Sequence, residues 1–194
     1  MDICYTNKIT EPYYQTCYNN TYNNSLQMKT PFQITNSFQT PSELGFAFEN
    51  LIHNEISQCG YQVLREKDII NKYGPIAFGI DHLIIGPNFI VSIQDKWKIT
   101  KPQINDINHF IMASTRVGQI ENKKCLGIYL SKAPLTTYAK SAFEHDNKIQ
   151  QNKYIDIYSD NQTQIIKKLT KILYIYGIYF FEPDGSVIML NNHC

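Results

Sequence analysis

The fold is decided by residues 76–97, which have the sequence IAFGIDHLIIGPNFIVSIQDKW. Two apolar runs, 76–85 and 89–97, stand on either side of the turn residues Gly86-Pro87-Asn88. Short apolar runs bounded by glycine and proline are typical of strands joined by a tight turn. The stretch therefore predicts a β-hairpin built from two buried strands.

Helical and extended patterns alternate on both sides of this hairpin. The spacing of apolar residues predicts helices over 40–57, 102–117, 134–145 and 163–174, strands over 61–66, 124–130 and 154–158, and a C-terminal hairpin over 178–190. A chain that alternates strands and helices in this way builds a mixed sheet with helices on both faces. The expected fold class is α/β, an α/β/α sandwich around a central mixed sheet.

The start of the first helix is marked by Thr40-Pro41-Ser42-Glu43. Thr40 suits the N-cap, proline the first helical position and Glu43 the third, a combination known as a capping box. Gly60 follows as a stop signal. At 100° per residue, one face of this helix is apolar and is predicted to be buried, with Leu44, Phe48, Leu51, Ile52 and Ile56 on it.

Residues 1–39 differ in composition from the rest of the chain. The stretch EPYYQTCYNNTYNNSLQMKT, at 11–30, is polar, rich in Asn, Thr and Tyr, and without periodicity. Such a segment buries too little apolar surface to fold by itself. We therefore expect a polar, extended or disordered N-terminal arm over 1–39 and a single domain over 40–194 that ends in the hairpin.

Composition and charge argue against several classes of protein. The chain has 194 residues, of which 43% are hydrophobic, enough for one domain with a sizeable core. Disordered, collagen-like, coiled-coil and histone-like proteins do not fit these figures. The net charge is +1, so the whole chain exerts no general pull on nucleic acids or membranes. Any anion must be bound by a local group of cations.

Cysteine usage and hydropathy indicate the cellular compartment. The five cysteines show no CxxC spacing and no clustered histidines, which predicts free thiols rather than disulfides or structural zinc. The first ten residues lack the apolar core of a signal peptide, and the longest apolar run, 172–181, is shorter than the roughly 20 residues of a membrane span. We expect a soluble intracellular protein of the cytoplasm or nucleus, without a membrane partner.

Asp81 is the first residue that suggests chemistry, because it stands among the apolar residues of a predicted strand. A carboxylate there is either an edge-strand or strand-end residue, or a metal ligand. In the next strand, alternation turns Gln94 and Lys96 to the same face. Pairing across the short turn would bring all three side chains within a few ångströms. A buried lysine is costly without an anion, and a phosphate or a metal-bound hydroxide would serve.

Gly79-Ile80-Asp81 followed by Gln94-Asp95-Lys96-Trp97 resembles the core motif of the PD-(D/E)XK nucleases, with the last acid replaced by glutamine. The closer match is the Mrr-type restriction endonuclease branch, whose motif commonly reads GID…QxK. Residues 45–49 with 60–63, and 126–131 with 136–139, are similar to other helix and strand units of that branch. The resemblance covers about residues 42–158. It implies a restriction-endonuclease-like fold and hydrolysis of DNA phosphodiester bonds.

The resemblance also implies a role for each matched residue. Asp81 would bind Mg²⁺ or Mn²⁺ directly, Gln94 through its side-chain oxygen, and the backbone carbonyl of Asp95 would add another oxygen. Lys96 would position or activate the attacking water and stabilise charge on the phosphate. Glu49 would complete the catalytic and metal site, directly or through a water.

Two of these assignments leave alternatives open. Glu49 lies at the border of the apolar face of its helix, whereas Glu55 lies nearer the centre and is a rival; only the resemblance favours Glu49. Gln94 is neutral, so two carboxylates rather than three would face the metal, which predicts weaker metal binding. A nuclease fold that has lost catalysis and binds nucleic acid or a protein partner is therefore the alternative function. An interaction protein that acts through the arm at 1–39 is a third.

DNA contacts are expected from local groups of lysine. Lys98 and Lys101 follow the third strand, while Ser131 and Lys132 stand at a strand end before a helix, where phosphate can bind. Trp97, among these lysines, suits packing better than base stacking. Weaker candidates, which a solvated surface explains better, are Lys123, Lys124, Lys167, Lys168 and Lys171. Cutting both strands usually takes two copies of such a site, so the resemblance also implies a homodimer.

Overall fold

The computed structural model describes residues 40–57, 62–86, 89–149 and 152–176. The predicted arm over 1–39 and the predicted hairpin over 178–190 lie outside these residues. In chain order the elements are α1 (Pro41–Ser57), β1 (Val63–Arg65), α2 (Glu66–Tyr73), a 3₁₀ turn (Pro75–Ala77), β2 (His82–Ile85), β3 (Phe89–Lys96), α3 (Ile104–Glu121), β4 (Lys124–Ser131), α4 (Thr137–Ile149), β5 (Lys153–Tyr158) and α5 (Gln162–Ile175).

The described strands form one five-stranded mixed sheet in the order β1-β2-β3-β4-β5. The strands β1, β2 and β3 are antiparallel neighbours, and β3, β4 and β5 run parallel. Because parallel strands end at the same edge of a sheet, Lys96, Ser131 and Tyr158 lie side by side at the ends of β3, β4 and β5. This edge is called the C-terminal edge below.

Each face of the sheet is covered by helices. On one face, α1 and α5 pack on β3 and β4 around Phe48, Ile93, Ile128 and Leu169. On the other face, α2, α3 and α4 enclose a second apolar cluster that includes Phe110 and Tyr129. The arrangement confirms the predicted α/β/α sandwich. None of the helices in the described part of the chain has both the length and the apolar character required to span a membrane.

The start of α1 and the faces of β3 agree with the sequence. The Thr40 amide donates to Glu43 Oε2 at 2.7 Å and the Glu43 amide to Thr40 Oγ1 at 3.3 Å, which confirms the capping box. In β3, Val91 and Ile93 face α1 and α5, while Ile90 faces the other cluster. The predicted alternation along this strand is therefore present.

The segment between β1 and β2 differs from the prediction. The helix α2 was missed, because only Ile69 and Tyr73 of its eight residues are buried and two apolar positions give little periodic signal. The strand predicted over 76–85 is also too long. Gly79 adopts φ +96°, which breaks the extended backbone, and β2 starts only at His82. Asp81 thus lies immediately before the strand rather than inside it.

Candidate active site

Asp81 and Gln94 meet where β2 and β3 pair. The ladder pairs His82 with Ile93, so the preceding residue, Asp81, falls opposite Gln94. The Asp81 amide donates to the Ile93 carbonyl at 2.9 Å and continues the pairing by one residue. Gln94 Nε2 donates to Asp81 Oδ2 at 3.1 Å. The contact expected from the thirteen-residue spacing is present, and the amide meets the carboxylate through its N–H group.

Gly79 gives Asp81 and Gln94 the room for this contact. Its φ of +96° is rarely adopted by residues with a side chain, and a Cβ atom there would lie 3.3 Å from Gln94 Oε1. The glycine of the GID motif therefore serves both the turn into β2 and the close approach of the Gln94 side chain.

Asp95 lies beside Asp81 and is held by a buried histidine. Its backbone amide donates to Asp81 Oδ2 at 2.7 Å. Its carboxylate Oδ2 lies 3.0 Å from Nε2 of His82, whose side chain is completely buried. The His82 ring in turn lies 5.6 Å, between centroids, from that of His53 on α1. A chain of contacts thus joins the first helix to the end of the hairpin.

A cavity of about 400 Å³ opens at this point between the N-terminal half of α1 and the end of β3. It is lined by Pro41, Ser42, Gly45, Glu49, Asp81, Asp95, Lys96, Trp97 and Lys98. The structure therefore brings Glu49, Asp81 and Lys96 to one cavity. Glu55, the rival of Glu49, is not among its lining residues. Gln94, with 4% of its surface exposed, lies behind the wall.

The two adjacent carboxyl groups are both poorly suited to carry charge without a partner. Burial, and then the neighbouring Asp95, raise the pKa of Asp81 to about 7. Burial, and then Glu49, raise the pKa of Asp95 to about 8. Lys96 acts in the opposite direction on the pKa of both groups. The cavity wall is thus a place where a positive charge would be stabilised.

His82 does not neutralise this wall. Burial lowers the pKa of His82 to about 4, so its ring is neutral at ordinary pH, and its Nε2 is in hydrogen-bond contact with Asp95. The other ring nitrogen, Nδ1, is buried and has no hydrogen-bond partner among the described residues. A neutral histidine orients the Asp95 side chain and adds no positive charge to the wall.

The donor set fits a hard divalent cation such as Mg²⁺ or Mn²⁺. Within the described ranges, no three His, Cys, Asp or Glu side chains form a group that would hold a metal ion by themselves. Mg²⁺ in proteins commonly binds one or two carboxylates and keeps several waters. Asp81 and Asp95, with raised pKa values and a cavity in front of them, match that requirement.

Trp97 is packed rather than free. Its ring stacks on Phe48 with centroids 4.6 Å apart, and Lys132 Nζ lies 5.3 Å from its centroid. The Lys132 amide also donates to the Lys96 carbonyl at 3.2 Å. Lys132 is therefore fixed at the C-terminal edge close to the cavity, while Lys98 and Lys101 are exposed just beyond β3.

The other predicted DNA contacts fall in different places. Ser131 is buried and its hydroxyl donates to the Ala133 carbonyl at 2.7 Å. Lys124 pairs with Phe89 at the start of β3, seven residues or about 23 Å from Lys96, so Lys123 and Lys124 lie at the opposite edge. On α5, Lys168 donates to the Tyr158 carbonyl at 3.2 Å and lies at the C-terminal edge.

Comparison with known proteins identifies the fold. No protein-family model matches this chain, and no curated protein is significantly similar to it in sequence. The solved structure of the small subunit of the heterodimeric restriction endonuclease R.BspD6I is similar, with a TM-score of 0.51 and 12% identity over 90% of this chain and 82% of that one. The chain has a restriction-endonuclease-like fold. This confirms the fold that the GID…QxK resemblance implied.

Two further solved structures are similar to part of this chain. They are a repair endonuclease from Pyrococcus abyssi, with a TM-score of 0.40, 17% identity and 63% of this chain covered, and the EndoMS–dsDNA2 complex, with a TM-score of 0.42, 18% identity and 66% covered. The present chain spans about half the length of both, 49% in each case.

Sequence reasoning missed two side chains of this site, those of His82 and Asp95. Alternation does place Asp95 on the opposite face from Gln94. Without knowledge that α1 covers that face, however, nothing marked Asp95 as facing Glu49 rather than solvent. His82 pairs with Ile93, so Asp95 lies two positions further along β3 on the same face, where its carboxyl group comes within 3.0 Å of the His82 ring.

Proposed function

We propose that this protein is a metal-dependent endonuclease that hydrolyses phosphodiester bonds in DNA, of the Mrr-type D…QxK variety of PD-(D/E)XK nuclease. The observation that carries the proposal is the convergence of Asp81, Asp95 and Lys96 on one cavity wall opposite Glu49. A subunit of a restriction endonuclease as a structural neighbour supports it. Two acids and a lysine beside an open cavity suit phosphate hydrolysis assisted by a cation.

Mg²⁺ or Mn²⁺ is the proposed cofactor, held by Asp81 and completed by Glu49 directly or through a water. When bound, such a cation polarises a phosphoryl oxygen and lowers the pKa of a water molecule. The family resemblance also implies that the Gln94 side-chain oxygen binds the cation. The Gln94 N–H group lies on Asp81 instead, so that assignment requires the amide to turn over.

Lys96 is the residue proposed to position the attacking water and to stabilise charge on the reacting phosphate. It lies on the cavity wall next to both acids and influences the charge of each. An ammonium group in a partly enclosed site stabilises negative charge more strongly than it would in bulk water. Lys96 therefore orients the water by hydrogen bonding and offsets the charge that develops on the phosphate oxygens.

The C-terminal edge of the sheet is the proposed path for the DNA backbone. Lys98 and Lys101 are exposed beside the cavity, and Lys132 and Lys168 continue the positive charge across β4 and β5. Phosphate contacts of this kind supply affinity without sequence specificity. Cleavage of both strands would use a homodimer, and a DNA substrate would place the activity in the cytoplasm or nucleus.

A plasmid-nicking assay with Mg²⁺ or Mn²⁺ tests this function. We expect the wild-type protein to convert supercoiled plasmid to open-circular or linear DNA, and EDTA to stop the reaction. Asp81→Asn and Lys96→Ala should each lower the rate by about 100-fold or more. Matched controls are Asp68→Asn and Lys140→Ala, which change exposed residues away from the cavity and should cut normally.

The same assay separates the catalytically inactive alternative, which the neutral Gln94 favours. A protein that binds DNA but never nicks it with either cation would be a binding module. Nicking that persists at the wild-type rate in Asp81→Asn or Lys96→Ala would show that the cavity is not the active site.

A further inference from the structure

We infer that the side chain of Asp95 is the second carboxylate ligand of the cation, beside Asp81, and that Gln94 holds Asp81 in place without touching the cation. The inference rests on the proposed function for the identity of the cation. It differs from what the family resemblance implies. In that pattern the side chain at position 94 binds the metal, and Asp95 contributes only its backbone carbonyl.

The position of the Gln94 side chain is the first argument. Gln94 is nearly completely buried, and its amide N–H donates to Asp81 Oδ2 at 3.1 Å. Its oxygen points towards Gly79, where a Cβ atom would meet it at 3.3 Å. Using the oxygen as a ligand would require the amide to turn, which breaks the bond to Asp81 and brings its oxygen against a carboxylate. Gln94 is therefore built as a support for Asp81.

The position of Asp95 is the second argument. Asp95 is one of the residues that line the cavity, whereas Gln94 is not. The backbone amide of Asp95 binds Asp81 Oδ2 at 2.7 Å, so the two acids are adjacent. The His82 ring meets Asp95 at Oδ2, 3.0 Å from Nε2. Neither of these bonds uses Oδ1 of Asp81 or of Asp95. Each acid thus keeps one oxygen that these contacts leave for a cation.

The balance of charge is the third argument. Three acids line one cavity: Glu49, Asp81 and Asp95. The lysines that line the same cavity are Lys96 and Lys98. Among the described residues, the side chain that contacts the Asp95 carboxyl group is that of His82, at 3.0 Å, rather than a lysine or an arginine. Two adjacent acids with so little compensation are costly to bury. A divalent cation between them removes that cost, and two carboxylates with additional waters is a coordination that Mg²⁺ accepts.

Strand geometry explains why an acid at position 95 faces a different way from one at position 94. Neighbouring residues of a strand point to opposite faces, so moving the acid from position 94 to 95 moves the carboxylate to the face that α1 covers. There it meets His82 and the helix that carries Glu49. An acid at position 95 therefore approaches the cavity from the other side of the strand than a side chain at position 94 would.

Calorimetric titration of the full-length protein with Mn²⁺, without DNA, tests the inference. We expect Asp81→Asn and Asp95→Asn each to weaken Mn²⁺ binding by more than about 100-fold, beyond the loss typical of residues behind a metal ligand. Gln94→Met keeps the volume but removes both polar atoms, and as the loss of a support behind Asp81 it should weaken binding by only about 10-fold. Asp68→Asn is the matched surface control. Asp95→Ser replaces Asp95→Asn if circular dichroism shows that the latter is unfolded.

Each result decides between the two proposals. Wild-type affinity in the Asp95 variants, or a loss in Gln94→Met as large as in Asp81→Asn, overturns the inference even if the protein cuts plasmid. Mn²⁺ binding that depends on Asp95 in a protein that never cuts DNA supports the inference and overturns the proposed function. A wild-type protein that binds no Mn²⁺ overturns both.

Discussion

Strand β3 carries two buried polar clusters that differ in how their hydrogen bonds are satisfied. In the first, which we call the serine cluster, Ser92 Oγ donates to Ser114 Oγ at 2.7 Å and lies 3.4 Å from Cys125 Sγ. In the second, the acid cluster of Asp81, His82, Gln94 and Asp95, two carboxyl groups adjoin each other and a ring nitrogen has no described partner. The clusters lie within a few residues on one strand and differ in charge.

The contrast shows how buried polar groups divide between stability and function. Neutral groups that bond to one another inside the protein are stable as they stand, and burial only makes the Cys125 thiol harder to ionise by raising its pKa to about 12. The acid cluster would be more stable with a cation, and it borders a cavity. Buried acids with raised pKa values beside a cavity are typical of binding and catalytic sites.

The pH dependence of stability should show the largest difference between the clusters. The folded-state pKa values of about 7 for Asp81 and about 8 for Asp95 lie above the ordinary 3.8. A raised carboxyl pKa favours the folded state fully below the ordinary pKa, and this contribution is lost as the pH rises through the folded-state value. Without divalent cations, the free energy of unfolding should therefore fall between about pH 4 and about pH 8.

Urea unfolding in EDTA at several pH values measures this effect. Asp81→Asn should give a shallower fall than the wild type, by up to about 1.4 kcal/mol per pH unit. Added Mg²⁺ should restore wild-type stability at the high end of the range. Parallel curves for the wild type and Asp81→Asn would contradict the environment described for the acid cluster, and Ser114→Ala should leave the slope unchanged.

Gly79→Ala should disturb the acid cluster through the backbone. The φ of +96° at this position and the 3.3 Å approach of a Cβ atom to Gln94 Oε1 both oppose a side chain. We expect a loss of about 1–3 kcal/mol in the free energy of unfolding and weaker Mn²⁺ binding, because Gln94 would shift away from Asp81. Gly74→Ala is the control, since φ there is also positive, +77°, but a Cβ atom meets nothing within 4 Å. Equal Mn²⁺ affinity in the two variants would argue against the role given to Gly79.

Ser114→Ala should affect stability alone. The substitution removes the partner of Ser92 in a buried site, which costs about 1–2 kcal/mol. Because the serine cluster contacts neither Asp81 nor Asp95, Mn²⁺ affinity should equal that of the wild type. Chemical denaturation and calorimetry on one sample check both statements. A change in Mn²⁺ affinity would show that the two clusters are coupled.

Lys132→Ala should have the smallest effect, because its charge lies on the surface rather than in either cluster. If Lys132 contacts a phosphate, DNA binding measured at increasing salt should lose about one unit of salt slope. Lys140→Ala, on the exposed side of α4, is the matched control and should keep the wild-type slope. Identical slopes for the two variants would remove Lys132 from the proposed DNA path.

How far the sequence predicted this molecule depends on whether the signal was local. The Thr40–Glu43 capping box and the alternation in β3 are set within a few residues, and both are present. The meeting of Asp81 and Gln94 follows from the length of the turn between two paired strands. The helix α2 was missed because the two buried residues of a short helix give little pattern.

The rest of the site depends on contacts between distant elements. Which lysines share an edge with the cavity depends on the parallel register of β3 with β4, and that register puts Lys124 at the far edge. The partnership of Asp95 with His82 and its place opposite Glu49 depend on which face α1 covers. No spacing in the sequence determines those arrangements. The meeting of Asp81 with Gln94 was therefore predictable, while the contacts and direction of the Asp95 side chain were not.

The most direct test of the central claim is an anomalous difference map from a crystal of the protein soaked in Mn²⁺. The account predicts one strong peak in the cavity at the end of β3, bonded to an oxygen of Asp81 and close to Lys96 and Glu49, and no peak in the same soak of Asp81→Asn. A wild-type crystal without a peak in that cavity, or with Mn²⁺ bound there and no contact to Asp81, would contradict it.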